Sequence, residues 1–333
     1  THGHVDHTSG ITGIDAEADA AGVPRPRIIA HRNVARRMAR YIATHGYNSI
    51  AQAQQFNTQG YVYPIGQRMP DEVYDDTLSL AIGGENLELA HARGETDDAT
   101  FVWLPRQRTL VSGDFVSWVF PNAGNPRKVQ RYAGEWAAAL RRMEALQPEV
   151  LIPGHGPVVF GRDRAGQMLR DGAEALEYLT SEVLARINKG ARLDDVLHAV
   201  RVPTSYVSKP YLRATYDDPQ FLVRAIYHLN AGWFDGNPAN LKPARAAELA
   251  TEIAALAGGA DRLADRARQL ASEGRLNLAL HLAELAGEAE PGNARVHAER
   301  AAVLRALIDG ETSLMAKAFY GVFERDAASR SKG

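Results

Sequence analysis

Apolar residues change their rhythm along this chain, and each change predicts a different kind of structure. Residues 1–30 are short and polar, rich in Gly, Ala and Asp, and lead through Ile28-Ile29 into His31–Ala43, where Val34, Met38 and Ile42 recur at helical spacing. A helix is expected there. From Tyr47 to Pro70 the pattern is aromatic, Gln-rich and irregular, which predicts loop or meander. Thr77–Ile82, Leu87–Ala90, Thr100–Leu104 and Thr109–Ser112 then read as consecutive short strands, broken by Gly83-Gly84, Gly94, Pro105 and Gly113. Lys128–Leu146 carries an amphipathic helical stripe, Val150–Ile152 is a short buried strand ending at Pro153-Gly154, and Gly166–Lys189 is another helix.

Beyond about Gly161 the strand signal disappears. Ala and Leu dominate residues 244–308, with turns at Gly258-Gly259, Gly274 and Pro291-Gly292, a pattern that fits helix pairs stacked in series. Asn277–Gly287 followed by Ala294–Ile308 reads as a helical hairpin, without a clean period of about 34 residues. The polar Arg325–Gly333 is expected to fray. The chain therefore divides in expectation near residue 165, into an α/β domain over 1–165 and an all-α domain over 166–325. A length of 333 residues agrees with two domains of roughly 150 each.

Composition narrows the chemistry. A hydrophobic fraction of 45% supplies real cores and excludes a disordered tail protein. With 38 basic and 40 acidic residues, the chain has no electrostatic footprint for nucleic acid or an anionic membrane. No run approaches the roughly 18 apolar residues of a membrane span, so a soluble protein is expected. The absence of cysteine rules out disulfides, a thiol nucleophile and thiolate-held metal, leaving His, Asp and Glu for any ion.

Those residue types concentrate at the start. Thr1-His2-Gly3-His4-Val5-Asp6-His7 packs three of the chain's 11 histidines and a carboxylate into one loop of the form H-x-H-x-D-H. Alternation points His2 and His4 one way, and a turn brings Asp6 and His7 toward a neighbouring point, the doubled supply that two adjacent metals need. Matching candidates follow at strand ends: Glu95 in Gly94-Glu95-Thr96, Asp114 after Gly113, and His155 in Pro153-Gly154-His155-Gly156. His91, four residues before Glu95, is its rival. His31, His45, His198, His228, His281 and His297 stand outside any ligand spacing and read as surface or helix-packing residues.

This order of residues resembles the metallo-β-lactamase fold, which implies an αββα sandwich. Carried over one residue at a time, the resemblance puts His2, His4 and Glu95 on a first metal, Asp6, His7 and His155 on a second, and Asp114 between them. Two zinc ions per chain are implied, with iron or manganese as alternatives for the same donors. Glu95, standing where a His is usual, is similar to the alkylsulfatase branch, although that branch would bridge with Glu rather than Asp114. Gly232-Trp233-Phe234-Asp235-Gly236-Asn237-Pro238-Ala239 also resembles the signature of the alkylsulfatase dimerisation region, implying a homodimer through the helical domain.

The implied activity is dinuclear metal-dependent hydrolysis of a small-molecule ester, an alkyl sulfate, by hydroxide from a water acidified toward ~7. Asp6 and Asp114 would carry the catalysis, Asp6 holding the water or passing on its proton. Asn122, Asn125, Arg213 and Tyr216 are candidates for anion or leaving-group contacts, since a guanidinium matches a tetrahedral oxyanion in shape and charge. The competing readings are a helix cap for Arg213 and turn-building around Pro121 and Pro126 for the two Asn. Trp118 and Phe120 read first as core and second as an apolar channel. Two alternatives stand beside this function: the same metal core acting on a lactone or phosphodiester, and a non-catalytic interaction protein with a vestigial site. In the resembled fold the His-rich loop follows a core strand, so a half-sheet is expected ahead of Thr1, and compartment is left open.

Overall fold

In the computed structural model, which describes residues 1–332, the alternating segments pair much as their pattern predicts. The chain opens with helices α1 (Val5–Thr8) and α2 (Ile11–Ala21), then strand β1 (Ile29–His31) and helices α3 (Arg32–Ala43) and α4 (His45–Gln55). β2 (Glu72–Tyr74) runs parallel to β1, with His31 opposite Tyr74. A six-stranded sheet follows: β3 (Thr77–Ile82), β4 (Glu85–His91), β5 (Thr100–Leu104) and β6 (Thr109–Gly113) form an antiparallel meander. Gly83 and Gly84 close the first hairpin with φ of +59° and +82°, which only glycine adopts freely at both centres of a two-residue turn. Helix α5 (Ala133–Ala145) then carries the chain across, so β7 (Val150–Pro153) joins parallel to β6, and β8 (Val159–Phe160) pairs antiparallel at the edge.

Four helices complete this unit: α6 (Arg162–Ile187), α7 (Leu193–Ala199), α8 (Thr204–Val207) and α9 (Pro219–Ala231). One core binds them to the sheet. Leu110 and Leu151 from the strands, Trp136 and Met143 from α5, Leu169 and Leu176 from α6, and Leu222 and Ile226 from α9 are each no more than 2% exposed. Truncating one of these leucines to alanine removes about 2–5 kcal/mol of stability. Position 165 lies inside α6, and the first compact unit comprises Thr1–Ala51 and Tyr61–Trp233. Ala and Leu content alone did not reveal that α6 to α9 serve the sheet.

Asp218 starts α9, its Oδ1 accepting from the Gln220 N–H at 2.7 Å ahead of Pro219 at the first helical position. Its neighbour Asp217 is fully buried, accepts from the Asp218 N–H at 2.9 Å, and leaves Oδ2 without a hydrogen-bond partner. Burial pushes this carboxyl up to about 7. The folded protein thus holds a proton there that the unfolded chain has released above its ordinary value of 3.8, so stability falls as pH rises from about 4 through 7. Asp217→Asn is expected to flatten that fall by about 3 kcal/mol between about pH 4.5 and pH 8, seen in urea unfolding. Identical pH slopes for variant and wild type would refute this.

The second compact unit comprises Gln52–Gly60 and the residues from Phe234 onward. After a single 3₁₀ turn over Pro238–Asn240 come α10 (Ala246–Ala257), α11 (Ala260–Ser272), α12 (Leu276–Ala289), α13 (Ala294–Gly310) and α14 (Leu314–Arg330). Ala260, Ala264 and Ala267 in α11 and Ala279, Ala283 and Ala286 in α12 are 0% exposed, and each set follows the i, i+4, i+7 stripe. Small side chains on both stripes let the two helices approach closely.

Several elements differ from expectation. α4 lies where loop was expected, because its inward positions are Asn48, Ala51 and Gln55, and two polar residues in three give no apolar period. α2 likewise buries Asp15 and Ala18. α14 continues to Arg330 rather than fraying from Arg325, held by Ala327 at 0% exposure, while Gly333 lies outside the described residues. α5 starts at Ala133, not Lys128, which leaves Arg131 free of the helix. No helix among the described residues is long and apolar enough to cross a membrane.

Candidate metal centre

The donors gather because four chain segments end at one edge of the sheet. The Thr100 N–H donates to the Thr1 carbonyl at 2.7 Å, laying His2-Gly3-His4 beside the start of β5. His4 precedes α1, so Asp6 and His7 turn back within it. Glu95 sits in the turn between β4 and β5, Asp114 follows β6, and His155 follows β7. Gly154 permits the approach of the last two: a Cβ there would lie 2.0 Å from Asp114 Oδ1.

Two donor groups result. His2, His4, Glu95 and Asp114 can each offer an atom within 4.8 Å of the others, and so can Asp6, His7 and His155. Asp114 stands between them. Its Oδ2 is 3.6 Å from His2 Nε2 and 3.5 Å from His155 Nε2, and its Oδ1 is 3.1 Å from His7 Nε2. Asp6 Oδ2 lies 3.4 Å from His155 Nε2 and 3.5 Å from His7 Nε2. Within the first group, His2 Nε2 and His4 Nδ1 are 2.8 Å apart, and His4 Nδ1 is 3.8 Å from Glu95 Oε2.

Electrostatics divides the groups in the same way. Burial pushes His2 down to about 4 and His4 well below its usual value, so both rings are neutral with a lone pair available at pH 7. His155, beside Asp114 and Asp6, is instead pushed up to about 10. Burial alone would raise Asp114, yet His155 and His7 hold it well below the usual carboxylate range. His7 Nε2 and Asp114 Oδ1 are buried and meet each other at 3.1 Å. His2 and His4 as neutral imidazoles and Asp114 as an ionised carboxylate fit a divalent ion directly, whereas His155 would give up its proton on binding one.

A buried layer holds the loop. Asp98 Oδ2 accepts from the Gly3 N–H and from Arg37 Nε, each at 2.9 Å, while Arg37 also reaches Asp97. Glu95 Oε1 accepts from Asn122 Nδ2 at 2.9 Å and from Arg131 Nη1. Sequence reasoning missed Arg37, Asp98 and Arg131, since nothing in one chain's spacing marks a charged residue as buried.

The remaining candidates fall elsewhere. His91 lies outside both groups, donating from Nδ1 to the Ala99 carbonyl at 2.8 Å, and its ring stacks at 3.6 Å on His31. His31 is accordingly buried, not superficial. Asn122 is committed to Glu95, and Asn125 is buried with Oδ1 accepting from the Arg127 N–H at 2.9 Å. Arg213 is exposed and Tyr216 half-buried, neither within a donor group. Phe120 belongs wholly to the core, whereas Trp118 lines a small apolar pocket with Phe115, Pro121 and Tyr211.

Fold and donor set together define a metallo-beta-lactamase-superfamily domain, and the model of that family matches residues 1–155. A second family, alkyl sulfatase dimerisation, matches residues 192–329. Both matches agree with the alkylsulfatase branch that the donor set and the Gly232–Ala239 segment resemble. It is 32% identical over 197 residues to a linear primary-alkylsulfatase of a Pseudomonas strain, covering 58% of this chain and 37% of that protein. It is also 26% identical to an (R)-specific secondary-alkylsulfatase of Pseudomonas, covering 92% of this chain and 50% of the relative. A solved stereoselective inverting sec-alkylsulfatase from Pseudomonas superposes with a TM-score of 0.86 at 23% identity, over 98% of this chain and 55% of the other. The chain thus spans about half or less of the length of these relatives.

Proposed function

We propose that this chain carries the metal centre of a sulfuric ester hydrolase acting on alkyl sulfates. The observation that supports it most is the meeting of seven donors from four segments in two groups with Asp114 between them. On this reading His2, His4 and Glu95 hold one divalent ion, Asp6, His7 and His155 a second, and Asp114 faces both. Zinc suits imidazole and carboxylate donors, as do iron and manganese. The chemistry such ions supply when bound is acidification of water toward a pKa of ~7 and neutralisation of charge on an ester oxygen.

The protein's own groups do the rest. Asp6 is 54% exposed on its side chain, so it can orient a water at the open side of the site and pass its proton to solvent. His155, 51% exposed, would hold the second ion at the open side of the site. Asn122 serves Glu95, which leaves Asn125, Arg213 and Tyr216 as proposed contacts for the anionic ester group. The helices over 192–329 would pair two copies; sedimentation at micromolar concentration should show a dimer, and a monomer would contradict it.

The function is tested by loading the chain with zinc and measuring sulfate release from primary and secondary alkyl sulfates. Release that requires metal is expected. None from any of them, alongside turnover of a lactone or phosphodiester, would favour the alternative esters. Gly154→Ala, whose methyl would lie 2.0 Å from Asp114 Oδ1 and 2.7 Å from the Gly113 carbonyl carbon, is expected to lower zinc affinity at least tenfold in a titration, with circular dichroism reporting whether the strand end shifts.

A further inference from the structure

The buried donor group is set apart by a guanidinium, whose charge no metal ion can displace by taking its proton. Glu95 Oε1 accepts from Arg131 Nη1 and from Asn122 Nδ2, while Oε2 alone turns toward His4. Arg131 Nη1 also donates to the Asn122 carbonyl, and the side chain is 4% exposed, so the guanidinium is fixed in place. In the other group Asp6 is half-exposed and faces His7 and His155. A guanidinium keeps its charge at any accessible pH, and in a buried site that charge is poorly screened.

We infer that Arg131 is a positioning residue acting as a resident counter-cation, which fixes Glu95 as a one-oxygen donor and weakens the buried group's hold on a divalent ion. The inference rests on the reading of these residues as a metal centre. Without an ion, the guanidinium keeps a buried carboxylate from standing alone, which is costly. With an ion at His2, His4 and Glu95, the same fixed charge opposes it. The buried site is therefore stable when empty and fills at a higher metal concentration than two imidazoles and a free carboxylate would require.

The test titrates Zn²⁺ into the metal-free chain against a chromophoric chelator, for wild type, R131Q and R131K, with thermal unfolding midpoints measured with and without zinc. Wild type should take two zinc ions. R131Q should tighten one site at least tenfold and leave the other within threefold, and its midpoint should fall further without zinc than with it. R131K retains the cation and should stay within threefold of wild type at both sites. An R131Q chain that folds only with zinc would support the inference, because a filled site replaces the missing charge. Unchanged or weaker zinc binding in R131Q, equal tightening in R131K, or failure of R131Q to fold at any zinc concentration would overturn it. Less than one zinc per wild-type chain would overturn the metal-centre reading and the inference together, whereas two ions in wild type with no tightening in R131Q overturns the inference alone.

Discussion

Asp114→Asn is expected to lower kcat/KM for metal-dependent sulfate release on the order of a thousandfold or more, and to reduce bound zinc from about two ions to one or fewer. The reasoning is geometric. Asp114 is the one residue whose carboxylate oxygens face donors of both groups, at 3.1 Å from His7 and near 3.5 Å from His2 and His155. Asparagine keeps the shape but replaces an ionised oxygen by an amide nitrogen, which offers no lone pair to a cation and adds a donor beside His7 and His155. Since Asp114 lies at the end of β6, with the core beneath it formed by Leu110 and Leu151, the fold should persist. Circular dichroism and zinc analysis on the same sample separate loss of the site from loss of the fold. Full activity with full zinc content would remove Asp114 from the centre.

The second large effect concerns the layer beneath. Asp98→Ala is expected to destabilise the metal-free chain by about 3–5 kcal/mol in urea unfolding, the usual result of stripping one partner from a buried ion pair. Arg37 is 2% exposed and Asp98 0% on their side chains, so the guanidinium would lose its buried carboxylate and the Gly3 N–H its acceptor. Asp97, which also meets Arg37, is 37% exposed and water can replace it. Asp97→Ala should therefore cost under about 1 kcal/mol. Equal losses in the two variants would show that burial is not what sets the value of the Asp98 contact. Because Asp98 anchors Gly3 between His2 and His4, its loss should also weaken zinc binding.

How much of this is legible in the sequence follows from where each signal lies. The strands β5 to β7 and helices α5 and α6 announce themselves because each turns an apolar face to one core, and that face repeats with the period of the element, while β3, which buries no residue, shows only as alternation around Gly83-Gly84. The seven donors are legible because they cluster as H-x-H-x-D-H or sit next to glycine at strand ends. Preference for Glu95 over His91 rested on the flanking Gly94 and Thr96, and the structure brings Glu95 to the cluster and leaves His91 stacked on His31.

What stayed hidden has a common cause. α4 turns Asn48 and Gln55 inward, and Arg37 with Asp98 and Arg131 with Glu95 are polar residues buried by partners distant in sequence. Pattern reading assumes that polar means exposed. Asn122 is another such case: its contact with Glu95 depends on two turns that are 27 residues apart in sequence. α6 and α9 read as helices by composition, and which core their apolar faces join, that of the sheet, shows only in the packing.

The most direct measurement is an anomalous difference map at the zinc absorption edge from crystals of the zinc-loaded chain. Two peaks are predicted, one among His2, His4 and Glu95 and one among Asp6, His7 and His155, with Asp114 between them. Absence of peaks at these residues, or a peak at another cluster such as the stacked His31 and His91, would contradict the account.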